Sequence, residues 1–176
     1  IIRSLSEEDA DIMLVSTNSQ REDTLPSEKA KAFKIRYEAL KRKAGRPTEN
    51  WVPLEPNLIG GRSTDLIADE SNVGISTIKR FLRLTELIPE WLDAVDNYAR
   101  GENKDREYPA IGIRTGVALS YLPKHEQQYV WQCCDAHKFP ISLEMAERLK
   151  GLAGHLTLDT VDGLIYAEKN KNKREK

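Results

Sequence analysis

The chain has 176 residues, with 27 lysines and arginines against 28 aspartates and glutamates, a formal net charge of −1. That balance excludes a global basic field, so any nucleic-acid binding must come from cations segregated onto one surface. Apolar residues make up 39% and charged residues 31% of the chain. This suits one medium or two small soluble domains and leaves no apolar run long enough to span a membrane.

No signal peptide is visible, and the only cysteines, Cys133 and Cys134, are adjacent. Neighbouring cysteines rarely bond each other, so a reducing, cytoplasmic setting is expected. The chain begins at Ile1 rather than Met and is read as a piece of something longer. Ile1-Ile2-Arg3 suits the end of a strand. Ser6-Glu7-Glu8-Asp9 has the form of a capping box, opening a short helix with Ile12, Met13 and Val15 on its apolar stripe. Polar residues 17–28 and Pro26 break the pattern. A helix then runs to about Lys43, with Ala32, Phe33, Tyr37 and Leu40 on one face. Lys29, Lys31, Lys34, Arg36, Lys41, Arg42 and Lys43 lie on the other, as a solvated surface or as phosphate contacts.

Residues 44–62 hold three prolines and three glycines and read as a loop, pinned to the core by Trp51. Gly45-Arg46-Pro47 resembles the core of a minor-groove AT-hook, or is plain linker. The chain is organised around the next stretch, residues 63–84. Leu66, Ile67 and Ala68 form an apolar face on a first short helix. Asn72 and Gly74 interrupt it, both tolerant of a left-handed backbone. Ser76 can then cap a second helix, about 76–84, that carries Ile78, Phe81 and Leu82 inward at helical spacing. Thr77, Lys79, Arg80 and Arg83 face outward. They are hydroxyls and long cations, the side chains that reach bases and phosphates. An alanine, a turn residue four later and an apolar residue ten later is helix-turn-helix spacing. An ordinary helical hairpin satisfies the same spacing.

Beyond it, Pro89 starts a helix with Trp91, Leu92 and Val95 inward, and residues 99–108 form a charged connection. Pro109 begins a helix carrying Ile113, Val117 and residues 119–122, with Arg114 and Thr115 near its start, where free N–H groups favour a phosphate. Pro123 opens a helix anchored by Tyr129, Val130 and Trp131. His125 and His137 flank Cys133 and Cys134, but adjacent cysteines on a helix point about 100° apart. Buried small hydrophobes are therefore favoured over zinc ligands. Ser142 can cap a helix from Leu143 to Leu152 ended by Gly151 and Gly154, and Thr157 can cap a last helix with Val161, Leu164 and Ile165. The basic tail from Lys169 is expected to fray. The expected architecture is all-α, with six to eight helices around one main core. No phosphate loop, metal cluster or catalytic constellation is found, so no catalytic or metal residue is assigned.

Three stretches, in order, resemble ParB-type partition proteins. Thr17-Asn18-Ser19-Gln20-Arg21-Glu22-Asp23 is similar to the family's ENxQRED-like box and is followed by Pro26, Glu28, Ala30 and Phe33. Phe81-Leu82-Arg83-Leu84 and Leu87-Ile88-Pro89-Glu90 resemble its LRLL and L-P-E elements. Ile113 to Leu122 takes the place of its G-H-A-R-A-L-L helix, with Arg114-Thr115-Gly116 where Gly-His-Ala is common. The resemblance spans about residues 1–150. It implies that 1–24 end an N-terminal nucleotide-binding-type domain, 25–155 form the helical DNA-binding domain, and 156–176 a terminal helix and basic tail. Asn18 and Arg21 match a box that in the family binds CTP with magnesium, with Thr17 in place of the usual Glu. A full-length parent would dimerise, bind a palindromic site on double-stranded DNA, meet a Walker-type partition ATPase, and associate with nucleoid or plasmid. This stretch itself is expected to be no enzyme.

The expected DNA contacts are Ser76, Thr77, Lys79 and Arg80 on bases or phosphates, Ser63 and Thr64 on backbone phosphate, and Arg83, Arg114 and Thr115 adding affinity. The alternatives are a helix-turn-helix transcriptional regulator of a mobile element, or a helical protein-interaction adaptor. In the adaptor, Thr77, Lys79 and Arg80 would be paired with acids.

Overall fold

The computed structural model describes residues 24–43, 62–101 and 109–174. Among these, every regular element is a helix, in accord with the all-α expectation. The box at 17–23, with Asn18 and Arg21, the first expected helix, Gly45-Arg46-Pro47 and Trp51 lie outside the described residues. The contacts divide the chain between Thr85 and Glu86 into two compact units, where the apolar pattern suggests one core.

The N-terminal unit has three described helices, α1 (Pro26–Lys43), α2 (Arg62–Ser71) and α3 (Ile75–Leu84), each packed on the other two. On α1, Ala30, Phe33 and Tyr37 recur at helical spacing and are buried; Leu40 is only half-buried. On α2, Thr64 and Ile67 turn inward while Leu66 is exposed. Phe33 and Phe81 meet with ring centroids 5.6 Å apart, fixing α3 against α1. Each such buried apolar side chain is worth about 1.5–3 kcal/mol.

The C-terminal unit holds α4 (Pro89–Arg100), α5 (Ile113–Leu119), α6 (Lys124–His137), α7 (Leu143–Lys150) and α8 (Leu158–Arg174). The α5 helix packs on α4 and α7, and α6 on α8. Pro89 takes the first position of α4, and left-handed Gly101 (φ 77°) ends it. Pro109 does not start α5: Ile111 N–H donates to the Ala94 carbonyl (3.0 Å), and Gly112, in extended conformation, caps the helix instead. Ser142 caps α7, its Oγ accepting from Met145 N–H (3.1 Å). Thr157 and Thr160 form a reciprocal cap on α8, each backbone N–H donating to the other's Oγ1 at 3.3 Å. The expected fraying tail is helical through Arg174. Lys169 Nζ donates to the His137 carbonyl at the end of α6 (2.6 Å).

Two buried polar side chains organise the loops of this unit. Gln127 is fully buried on α6. Its Oε1 accepts from Ile88 N–H (2.9 Å), and its Nε2 donates to the carbonyls of Glu86 (3.1 Å) and Leu122 (2.9 Å). Its own carbonyl accepts from the Trp91 indole (3.0 Å), and Trp91 meets Trp131 edge-on. Glu126 does the same for the segment after α7, accepting from Gly154 N–H (3.0 Å) and Leu156 N–H (2.9 Å). These bonds satisfy backbone groups that no helix can serve.

Candidate nucleic-acid interface

The turn between α2 and α3 sets the direction of the second helix. Ser71 Oγ donates back to the Ile67 carbonyl (2.5 Å), a bond that competes with continuation of the helix. Asn72 then takes the left-handed conformation (φ 53°), which a short polar side chain tolerates better than most. Val73 N–H closes the end on the Ala68 carbonyl (3.3 Å), the six-residue bond of a Schellman ending. Gly74 is not left-handed: at φ −60° and ψ 140° it is the N-cap of α3. Its carbonyl accepts from Thr77 N–H (2.8 Å) and Ile78 N–H (3.2 Å). Ser76 therefore does not cap the helix, which starts one residue earlier because glycine serves as the cap without a side chain.

The inward face of α3 is the expected one, with Ile78, Phe81 and Leu82 buried. On the outward face, Ile75, Ser76, Lys79 and Arg80 are exposed and Thr77 is half-buried. At 100° per residue, Ile75, Lys79, Ser76 and Arg80 fall in that order over one continuous arc of about 140°. Lys79 and Arg80 form no ion pair or hydrogen bond among the described residues. Arg83 falls within the same arc one turn later, yet it is only 5% exposed and engaged by a polar or electrostatic partner. A buried guanidinium must be paired, so Arg83 belongs to the packed structure and not to the outward surface. The accessible arc thus covers the first two turns of α3.

The other expected contacts separate in the same way. Ser63 is half-buried, and Thr64 is fully buried facing the interior of α2's packing, so Thr64 offers no hydroxyl to a phosphate. Thr115 is buried, whereas Arg114 is exposed. The basic face of α1 is largely engaged: Arg36 pairs with Glu70 of α2, Lys41 sits over the Tyr37 ring (5.0 Å to the centroid), and Lys34 has a partner. Lys31 alone of the described side chains on that face is exposed. Ile75 is the outward residue that sequence reading missed. Starting the helix at Ser76 consigned it to the turn; an apolar residue directly after a capping glycine was the available signal.

Cys133 and Cys134 are buried on α6. Burial pushes both thiols up, with the Asp162 carboxylate adding to the effect on Cys133; Cys134 is raised to about 12. His137 pairs with Asp162 (2.6 Å) and His125 meets Tyr129 edge-on. Among the described residues no group of three or more such side chains could hold a metal, and no helix is long and apolar enough to cross a membrane. Neither a protein-family model nor a curated protein nor a solved structure matches this chain.

Proposed function

We propose that the N-terminal unit is a sequence-specific double-stranded DNA-binding module whose α3 lies in the major groove, the DNA-binding part of a ParB-like partition or segregation factor. The observation that carries this reading is the pair Lys79 and Arg80, exposed and, among the described residues, without an ion pair or hydrogen bond, on a helix whose opposite face is buried. Exposed cations beside hydroxyls on the first turns of such a helix suit contacts to base edges and phosphates. In a helical adaptor these cations would be matched by acids, as Arg36 is by Glu70.

Under this reading Ser76, Lys79 and Arg80 make the principal contacts, with Thr77 and Ser63 at their margin. Arg83 and Thr64 support the fold. Arg114 is a separate cation on the C-terminal unit. Bound as a two-fold dimer, the protein would read an inverted repeat with half-sites about 34 Å apart. Partition rests on the family resemblance, as do the ATPase partner and CTP with magnesium. The test is selection of bound duplexes from a random library at two salt concentrations, repeated with the double variant Lys79→Glu, Arg80→Glu. An enriched inverted repeat, lost in the variant, is expected. Equal duplex affinity in wild type and variant would refute the assignment.

A further inference from the structure

We infer that Ile75 is a specificity-determining residue that reads the 5-methyl group of a thymine in the major groove. The inference rests on the DNA-binding reading of α3 and extends it from affinity to sequence choice.

Ile75 is the first residue of α3 and is 39% exposed. Water-exposed isoleucine is ordinary where it stands alone, but this one stands at the edge of the cationic arc. Lys79 follows it at i+4, so the two side chains are neighbours on the helix surface. Among the described residues, the other exposed large aliphatic side chains of the unit, Ile35 and Leu66, lie on α1 and α2. Gly74, just before Ile75, carries no side chain, and the space where a Cβ would stand is open to 4 Å. Helices that enter the major groove touch base edges with their N-terminal residues. The feature there that an aliphatic side chain can recognise is the thymine 5-methyl; the other base edges present hydrogen-bonding groups. Ser76 and Arg80 supply donors along the far side of the same arc, so one helix end combines a methyl contact with polar contacts.

The experiment starts from the duplex enriched by the wild-type protein. Each thymine is replaced in turn by deoxyuridine, which removes the methyl group and leaves every hydrogen-bonding edge intact. One thymine per half-site is expected to bind about fourfold more weakly after replacement, the size set by burying a single methyl group. In Ile75→Ala, the thymine and deoxyuridine duplexes should bind equally, while the circular dichroism spectrum and melting temperature stay those of the wild type. Equal binding of all replaced duplexes by the wild type, or the same penalty at the same base in Ile75→Ala, overturns the assignment and leaves DNA binding standing. If no duplex is enriched, or if the Lys79→Glu, Arg80→Glu variant binds as the wild type does, the DNA reading falls and the role of Ile75 with it.

Discussion

Arg83 and Gln127 show how a single side chain's surroundings decide its work. Arg83 lies on the outward stripe of α3 by periodicity, yet it is buried and partnered. Arg83→Ala is therefore expected to cost about 1–3 kcal/mol of stability, read by denaturant unfolding, because its partner is left unsatisfied. The salt dependence of DNA binding should stay unchanged. Gln127→Ala removes the partners of Ile88 N–H and the Leu122 carbonyl at once, and one of two donors to the Glu86 carbonyl, which keeps Lys124 Nζ. A loss on the order of 3 kcal/mol is expected in the same measurement. Cys134 carries a pH dependence. Its thiol ionises near 9.0 when unperturbed and at about 12 in the folded chain. Below pH 9 the neutral thiol is buried without penalty, and stability from it is complete. Between the two values the unfolded chain loses the proton first, so this contribution falls as pH rises. Alkaline unfolding of Cys134→Ala, compared with wild type from pH 8 to 11, should lack that component of the slope.

Among the elements, the α2–α3 connection is the one on which the proposed interface depends. It turns on Asn72 in the left-handed region, with Gly74 left free to cap. Asn72→Val places a branched side chain where the backbone disfavours it and is expected to cost about 1–2 kcal/mol. Asn72→Gly should be close to neutral; thermal melting of the two variants distinguishes them. At the end of α6 the opposite change should help. Lys138 is left-handed there (φ 48°), and Lys138→Gly is expected to raise stability by roughly 0.5 kcal/mol, since relief of backbone strain exceeds the added chain entropy. The exposed pair of Lys138 with Asp135 is of the kind worth little.

Taken whole, the molecule combines a net charge of −1 with a local cationic arc, and this makes the salt dependence of binding diagnostic. Each phosphate neutralised contributes about 0.9 to the slope of log affinity against log salt concentration. Replacing Lys79 and Arg80 by alanine should flatten that slope by about 1.8, measured by fluorescence anisotropy on one duplex over a salt series. Lys31, exposed on α1, should change it by less than one phosphate's worth if it lies at the edge of the interface. The division into two compact units gives the buried polar residues a local task. Glu126 and Gln127 hold the segments around α6 in the C-terminal unit, and the Phe33–Phe81 contact holds α3 on α1 in the other.

The apolar spacing of Ile78, Phe81 and Leu82, the caps at Ser142 and Thr157 and the all-helical class were legible in the sequence, because a helix repeats every 3.6 residues and caps act within one turn. So was the outward placement of Lys79 and Arg80. What distant segments decide was not legible there. Periodicity assigns Arg83 to the same face as Lys79, but burial depends on what packs over a position. Thr64 and Thr115 are covered for the same kind of reason, and Arg36 finds in Glu70, on the next helix, a partner that local sequence does not announce. The move of the cap from Ser76 to Gly74, two residues earlier, brings Ile75 onto the outward face, and it follows from Asn72 completing the preceding turn. Local spacing alone determined which helix could face a partner; only the tertiary structure decided how much of that helix is left to do so, because burial is a sum over neighbours far apart in the chain.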